Sequence, residues 1–134
     1  IDIDRFKAIN DGLGHTAGDR AIRDIAGRIS DVVRPGDLVA RFGGEEFVVL
    51  VPEIDLAAAT KLAERVRLAV ASAPMEAAGA DLFVTISIGV AAAESFDKDV
   101  QDVIERADLA LYGAKRKGRN AVVAAADHPV RRTA

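Results

Sequence analysis

The chain has 134 residues, half of them hydrophobic and 29% charged, enough for one domain with a buried core and too few for two ordinary ones. A formal net charge of −3 excludes a general polyanion binder, so any phosphate chemistry must rest on a few local cations and a metal. Cysteine is absent, which excludes disulfides and thiolate metal sites and fits a reducing cytoplasm. No apolar run approaches the ~20 residues of a membrane helix, and no signal peptide is visible.

In chain order, Ile1-Asp2-Ile3-Asp4 alternates like the end of a strand already in progress, so the sequence reads as a fragment of a longer protein. Residues 5–12 suit one or two helical turns. From Asp19, Ile22, Ile25, Ala26, Ile29 and Val33 form one helix face, and Arg34-Pro35-Gly36-Asp37 stops that helix. Residues 38–42 and 47–51 are β-type runs around Gly43-Gly44, a hairpin pattern. Asp55 is placed to cap a helix with Ala59, Leu62, Ala63, Val66 and Val70 on its inner face. Pro74 ends it, and a second hairpin turns near residues 78–81. Val84, Ile86, Ile88 and Val90 then alternate with Thr85, Ser87 and Gly89, so one side of that strand is core. A last helix carries Val100, Val103, Ile104, Ala107, Leu111 and Ala114 and ends near Gly118, before a closing strand at 121–124. The domain is expected over 1–124 and a disordered tail over 125–134. Hairpins mixed with helices predict an α/β (α+β) fold, an antiparallel-rich central sheet with helices on both faces. No glycine-rich phosphate loop follows a strand, which argues against a doubly wound dinucleotide fold.

The acids carry the chemistry. Asp2 and Asp4 sit at a strand end, and Glu45 and Glu46 sit in a tight turn whose glycines let the backbone come close to a ligand. Carboxylates with a backbone carbonyl make a hard oxygen site suited to Mg²⁺ or Mn²⁺, which keep waters and share phosphate oxygens. Alone, Gly-Gly-Glu-Glu would read as a solvated hairpin turn.

It is not alone. Asp2-Ile3-Asp4, Phe6-Lys7, Ile9-Asn10-Asp11, Gly14-His15, Gly18-Asp19, Gly43-Gly44-Glu45-Glu46-Phe47 and Gly118-Arg119-Asn120 follow one another in a single register. That series resembles the GGDEF domains, which condense two GTP into cyclic di-GMP, and the resemblance runs from Ile1 to about Val123. It implies a nucleotidyl cyclase or polymerase-palm-like fold, with Asp2, the Ile3 carbonyl and Glu45 holding magnesium. Glu46 would activate the attacking hydroxyl or belong to the metal's acids, and Asp2, Glu45 and Glu46 together would be the catalytic set. Asn10 and Asp19 match the family's guanine contacts, although both residue types also cap helices. Lys115 and Arg119, with Lys7 behind them, match phosphate contacts; the bland alternative is favourable charge at a helix C-terminus. Arg34 and Asp37 match an inhibitory site for the cyclic di-GMP product, with Arg65 as a second arginine there; the alternative is a pair across a loop, worth little at a surface. His15 reads as structural and His128 as tail.

The family also carries a helix and most of its first strand ahead of Asp2, so the chain as it stands is expected to be a weak catalyst. What the resemblance implies is a cytoplasmic, homodimeric diguanylate cyclase with feedback inhibition, touching neither nucleic acid nor membrane. The alternatives are a non-catalytic cyclic di-GMP receptor and an inert structural fragment.

Overall fold

The computed structural model describes residues 1–126; residues 127–134, which hold His128 and most of the expected tail, lie outside the described residues. Strand β1 (Asp2–Ile3) leads through a left-handed Arg5 (φ 54°) into helix α1 (Phe6–Leu13). Gly14, at φ 87°, bends the chain at once into α2 (His15–Val32). Helix α2 therefore begins about one turn before the start expected at Asp19. No side chain caps it and glycine alone makes the bend, so Asp19 lies within the helix and is not its cap.

The hairpin of β2 (Leu38–Arg41) and β3 (Phe47–Leu50) follows. Helix α3 (Leu56–Ala71) is capped as expected by Asp55, whose carboxylate accepts the Ala58 N–H at 2.7 Å. Strands β4 (Met75–Ala77) and β5 (Ala80–Leu82) turn at Ala78 and Gly79, both left-handed. Then come β6 (Ile86–Val90), α4 (Val100–Arg116) with Asp99 as its cap, and β7 (Val122–Ala124). The Ala125 N–H donates to the Val90 carbonyl at 2.7 Å, so residue 125 is still tied to β6.

Three ladders are antiparallel (β1–β6, β2–β3, β4–β5), and β6–β7 is parallel. The strands divide into β1-β6-β7, β2-β3 and β4-β5. The first two groups are stitched together at β1. Ile1 and Phe47 exchange backbone hydrogen bonds, the Ile3 N–H donates to the Glu45 carbonyl at 3.0 Å, and Asp2 bridges Glu46.

Strand β6 organises the core because side chains alternate across it. Ile86 and Ile88 join Ile25 and Ile29 of α2 and Val66 and Val70 of α3 in the buried cluster. On the opposite face, a Cβ on Gly89 would lie 1.9 Å from the Ala107 carbonyl and 2.4 Å from the Leu111 nitrogen, so α4 rests its backbone on the strand there. Ser87, on that same side, is fully buried. Both faces of β6 are thus covered, where the alternation had suggested a core on one. Helix α4 differs from its expected face as well. Its buried residues are Asp102, Arg106, Ala110, Leu111 and Ala114, while Val100 is exposed and lines, with Val103 and Ile104, an open apolar trough toward α3. Arg106 is buried because its charge is met: it donates to Asp97 and to the Ala92 carbonyl and lies over the Phe96 ring. Burial alone would push the Asp97 carboxyl up, but the Glu94 N–H and the Arg106 guanidinium outweigh it and hold that carboxyl below its ordinary value. Among the described residues, no helix is long and apolar enough to cross a membrane.

Candidate active site

Strand β1 lies between β6 and the turn of the β2–β3 hairpin, and this junction gathers the acids. Asp2 is opposite Ser87 on one side and bridges Glu46 on the other, and it is buried. Ile3, 1% exposed, receives Glu45's carbonyl on its N–H, so the Glu45 backbone is locked beside β1. Glu45 and Glu46 are themselves half-buried. The turn is held from beneath by Arg41, whose Nε donates to the carbonyls of Gly43 and Gly44 at 3.1 and 3.2 Å and whose Nη2 donates to Gly44 at 2.7 Å. Gly43 has little room for a side chain, since a Cβ there would sit 3.0 Å from Glu46 Oε2.

Lys115, in the last turn of α4, reaches Asp2: its Nζ lies 3.1 Å from Oδ2. The Asp2 carboxylate thus has an ammonium beside it. Among the described residues no three His, Cys, Asp or Glu side chains come together as a metal cluster. Two carboxylates and a carbonyl suit magnesium nonetheless, because that ion is commonly held by one or two carboxylates and completes its shell with water and phosphate oxygens. The donor chemistry fits the group, since Asp2, Glu45 and the Ile3 carbonyl all offer hard oxygens.

Asp4 has a different task. It is 6% exposed and accepts from Thr85 Oγ1 at 2.7 Å, Ser87 Oγ at 2.6 Å and the Asn120 N–H at 2.9 Å. These bonds tie β1 and the start of β6 to the turn after α4, where Gly118, Arg119 and Asn120 all take positive φ. Arg67 of α3 grips the same turn through Asn120 Oδ1 at 2.8 Å. The exposed Arg119 is thereby fixed at the end of α4, one turn beyond Lys115.

Asn10 and Asp19 come from the α1–α2 pair. Asn10 lies against Gly18, and its Oδ1 is buried without a hydrogen-bond partner. Asp19 is exposed on α2, Lys7 is exposed on α1, and His15 is exposed at the start of α2. Away from this group, Arg34 Nε donates to Asp37 Oδ1 at 3.3 Å and its Nη2 to the Pro52 carbonyl at 2.7 Å. The Asp37 side chain is 1% exposed while that of Arg34 is 59% exposed. The aspartate closes its own turn, and the arginine is the half of the pair that faces water. Arg65 is exposed on α3. Asp4 was read among the acids at the strand end but given no role of its own, and Arg41 was not singled out. The Asp-x-Asp spacing was the one available signal for Asp4, since i and i+2 share a strand face; nothing in the sequence marked Arg41.

The arrangement is a β-hairpin of acids beside a buried strand, with cations at the end of a helix, set on an antiparallel-rich α/β frame. Residues 1–121 match the family described as "Diguanylate cyclase, GGDEF domain", and the chain belongs to that family. It is 49% identical over 120 residues to the diguanylate cyclase DgcP of Pseudomonas aeruginosa, covering 90% of this chain and 18% of that protein. It is 48% identical over 125 residues to the response regulator PleD of Caulobacter vibrioides, covering 92% of this chain and 28% of that protein. Among solved structures it is similar to the GGDEF domain of DgcB from Caulobacter crescentus in complex with c-di-GMP (40% identity, TM-score 0.86, 92% of this chain and 73% of that one). It is likewise similar to the active GGEEF domain of a diguanylate cyclase from Vibrio cholerae (34% identity, TM-score 0.85, 95% and 80%).

Proposed function

We propose that this chain is the catalytic domain of a diguanylate cyclase, binding one GTP per domain and joining two GTP into cyclic di-GMP across a pair of domains. The observation that carries the reading is the junction of Asp2, Ile3 and Glu45, with the Lys115 ammonium already against Asp2. A divalent ion there would neutralise charge on the α-phosphate and make the ribose 3′-hydroxyl more acidic. Asp2, Glu45 and the Ile3 carbonyl would hold it. Glu46, beside them, would take the hydroxyl proton or join the metal's acids. Lys115 and Arg119 would carry the charge of the β- and γ-phosphates as pyrophosphate leaves, with Lys7 as a further cation. Asn10 and Asp19 would read the guanine edge, the carboxylate accepting N–H donors that adenine does not offer in that pattern.

Each 3′-oxygen attacks the other nucleotide's α-phosphorus, each attack expels one pyrophosphate, and the product has twofold symmetry. A homodimeric encounter is the simplest way to supply that symmetry. Feedback would act through Arg34, which is exposed and would have to exchange its bonds to Asp37 and the Pro52 carbonyl for guanine O6 and N7 in the bidentate manner, with Arg65 as a second cation and Asp37 supporting the turn. The names of the relatives and the cyclic di-GMP bound to the DgcB domain support this reading.

The test is chromatography of the purified chain with GTP and magnesium or manganese, at protein concentrations high enough for domains to meet. Cyclic di-GMP and pyrophosphate should form at a rate that rises faster than linearly with protein. Glu45→Ala should lose at least about a hundredfold, because one of only two anionic metal ligands is gone. Arg34→Ala should keep its initial rate while its progress curve stays straight as product accumulates. Cyclic di-GMP binding with no turnover at any concentration would favour a receptor instead.

A further inference from the structure

Gly18 sits inside α2, at a position where the backbone does not require glycine: no positive φ is found there. A glycine in a helix interior weakens the helix relative to alanine. The reason for its presence lies across the α1–α2 contact. A Cβ on Gly18 would fall 1.9 Å from Asn10 Oδ1, 3.0 Å from Asn10 Cγ and 3.1 Å from Phe6 Cζ. The Asn10 carboxamide therefore occupies the space that any other residue at 18 would fill. It does so at a second cost, because that oxygen is buried with no donor. Two unfavourable choices meet at one point, and departures from local rules gather where a function needs them. The opposite end of the amide, its NH₂, makes no hydrogen bond with another described residue and is not among the buried unpaired atoms, in a residue that is only partly buried.

We infer that Gly18 is a positioning residue for nucleotide recognition: by lacking a side chain it seats the oxygen end of the Asn10 amide and so presents the NH₂ end to an acceptor on the guanine base. The inference rests on the proposed reading of Asn10 as a base contact. Gly18 touches no substrate itself. Its effect is on the orientation of Asn10, and through it on the choice of guanine over adenine beside Asp19.

The experiment compares Gly18→Ala, Asn10→Ala and the double variant in the whole chain. The probes are the α,β-methylene analogues of GTP and ATP, which cannot be turned over, with affinity read by calorimetry and folding by thermal melting. Gly18→Ala should melt at or above the parent temperature, since alanine favours the helix, yet bind the guanine analogue about tenfold more weakly, the loss of one hydrogen bond. Asn10→Ala should lose a similar factor, and the double variant should bind no worse than Asn10→Ala alone. Parental affinity in Gly18→Ala, beside a loss in Asn10→Ala, would overturn the positioning role and leave the base contact standing. Parental affinity in Asn10→Ala would overturn the base contact itself. Should Gly18→Ala fail to fold, Asn10→Gln examines the same seat from the other side: its longer amide cannot rest on Gly18, so retained guanine affinity in that variant would equally sink the proposal.

Discussion

Asp4 illustrates how a single carboxylate can hold a site together without touching its chemistry. Both of its oxygens are spent on Thr85, Ser87 and the Asn120 N–H, from two distant parts of the chain. Removing the acceptor leaves the Ser87 hydroxyl, fully buried, with no partner, and unmet buried donors cost about 1–3 kcal/mol each. Asp4→Ala should therefore lower unfolding stability by roughly 2–4 kcal/mol, read as a lower urea midpoint with an unchanged slope. Asp4→Asn keeps one acceptor and should fall between that variant and the parent. A change within experimental error in Asp4→Ala would show that the three donors find water as readily as carboxylate. The acid's two-residue offset from Asp2 was visible in the sequence, but its partners were not: Thr85, Ser87 and Asn120 are more than eighty residues away, and no local pattern announces such a meeting. Gly18 stood in the motif series, but that its missing side chain makes room for the Asn10 amide was not legible, since a bare backbone gives no signal until something is seen to occupy the space.

At the scale of elements, α4 packs backbone against backbone on β6 at Gly89. The atoms that a Cβ would meet belong to the helix backbone, which cannot rotate out of the way as a side-chain tip can. Gly89→Ala must push α4 outward or bend β6, and overpacking of this kind costs about 1–3 kcal/mol or more. A loss near 3 kcal/mol is expected, checked by chemical denaturation. The comparison is Gly43→Ala, where the neighbour is the flexible end of Glu46 and the stability cost should be under ~1 kcal/mol. An equal cost at both positions would mean that α4 is not held as tightly as the contact implies. The same helix shows where periodicity misleads. Val100, Val103 and Ile104 have the spacing of a core face but line an open trough, while charged Arg106 is the residue turned inward, neutralised by Asp97. Hydrophobic spacing reports which side is apolar, not whether a buried ion pair has displaced it. The first hairpin was legible to within a residue because Gly43-Gly44 marks its turn, while the second turns at Ala78 and Gly79, two residues tighter than the 78–81 expected. The start of α2 was missed because its bend relies on Gly14 with no capping side chain to mark it.

For the molecule as a whole, the acids come from two separate ladders. Asp2 and Ile3 belong to the β1-β6-β7 group, Glu45 to the turn of β2–β3, and Lys115 arrives from α4 behind them. No stretch of sequence longer than the signature could reveal that meeting, which the order of motifs alone made legible. The contact of Lys115 with Asp2 has a consequence for how ligands arrive. If Asp2 holds the divalent ion as proposed, that ion would have to exchange with a lysine, trading one cation for another and gaining little. With a triphosphate bound as proposed, Lys115 would have a better anion to hold and would release the carboxylate. Metal and nucleotide would then help each other, and by reciprocity each would strengthen the other's binding by the same factor. Replacing Lys115 with methionine should tighten Mn²⁺ binding to the nucleotide-free chain by up to about fivefold, since a partly exposed pair is worth at most ~1 kcal/mol, as counted by electron paramagnetic resonance of the free ion. The same change should erase most of the mutual strengthening. Weaker Mn²⁺ binding in that variant would mean the lysine supports the metal seat instead of contesting it. Were both ligands to bind as proposed, Lys115 would act as a counterion that substrate and metal displace only together.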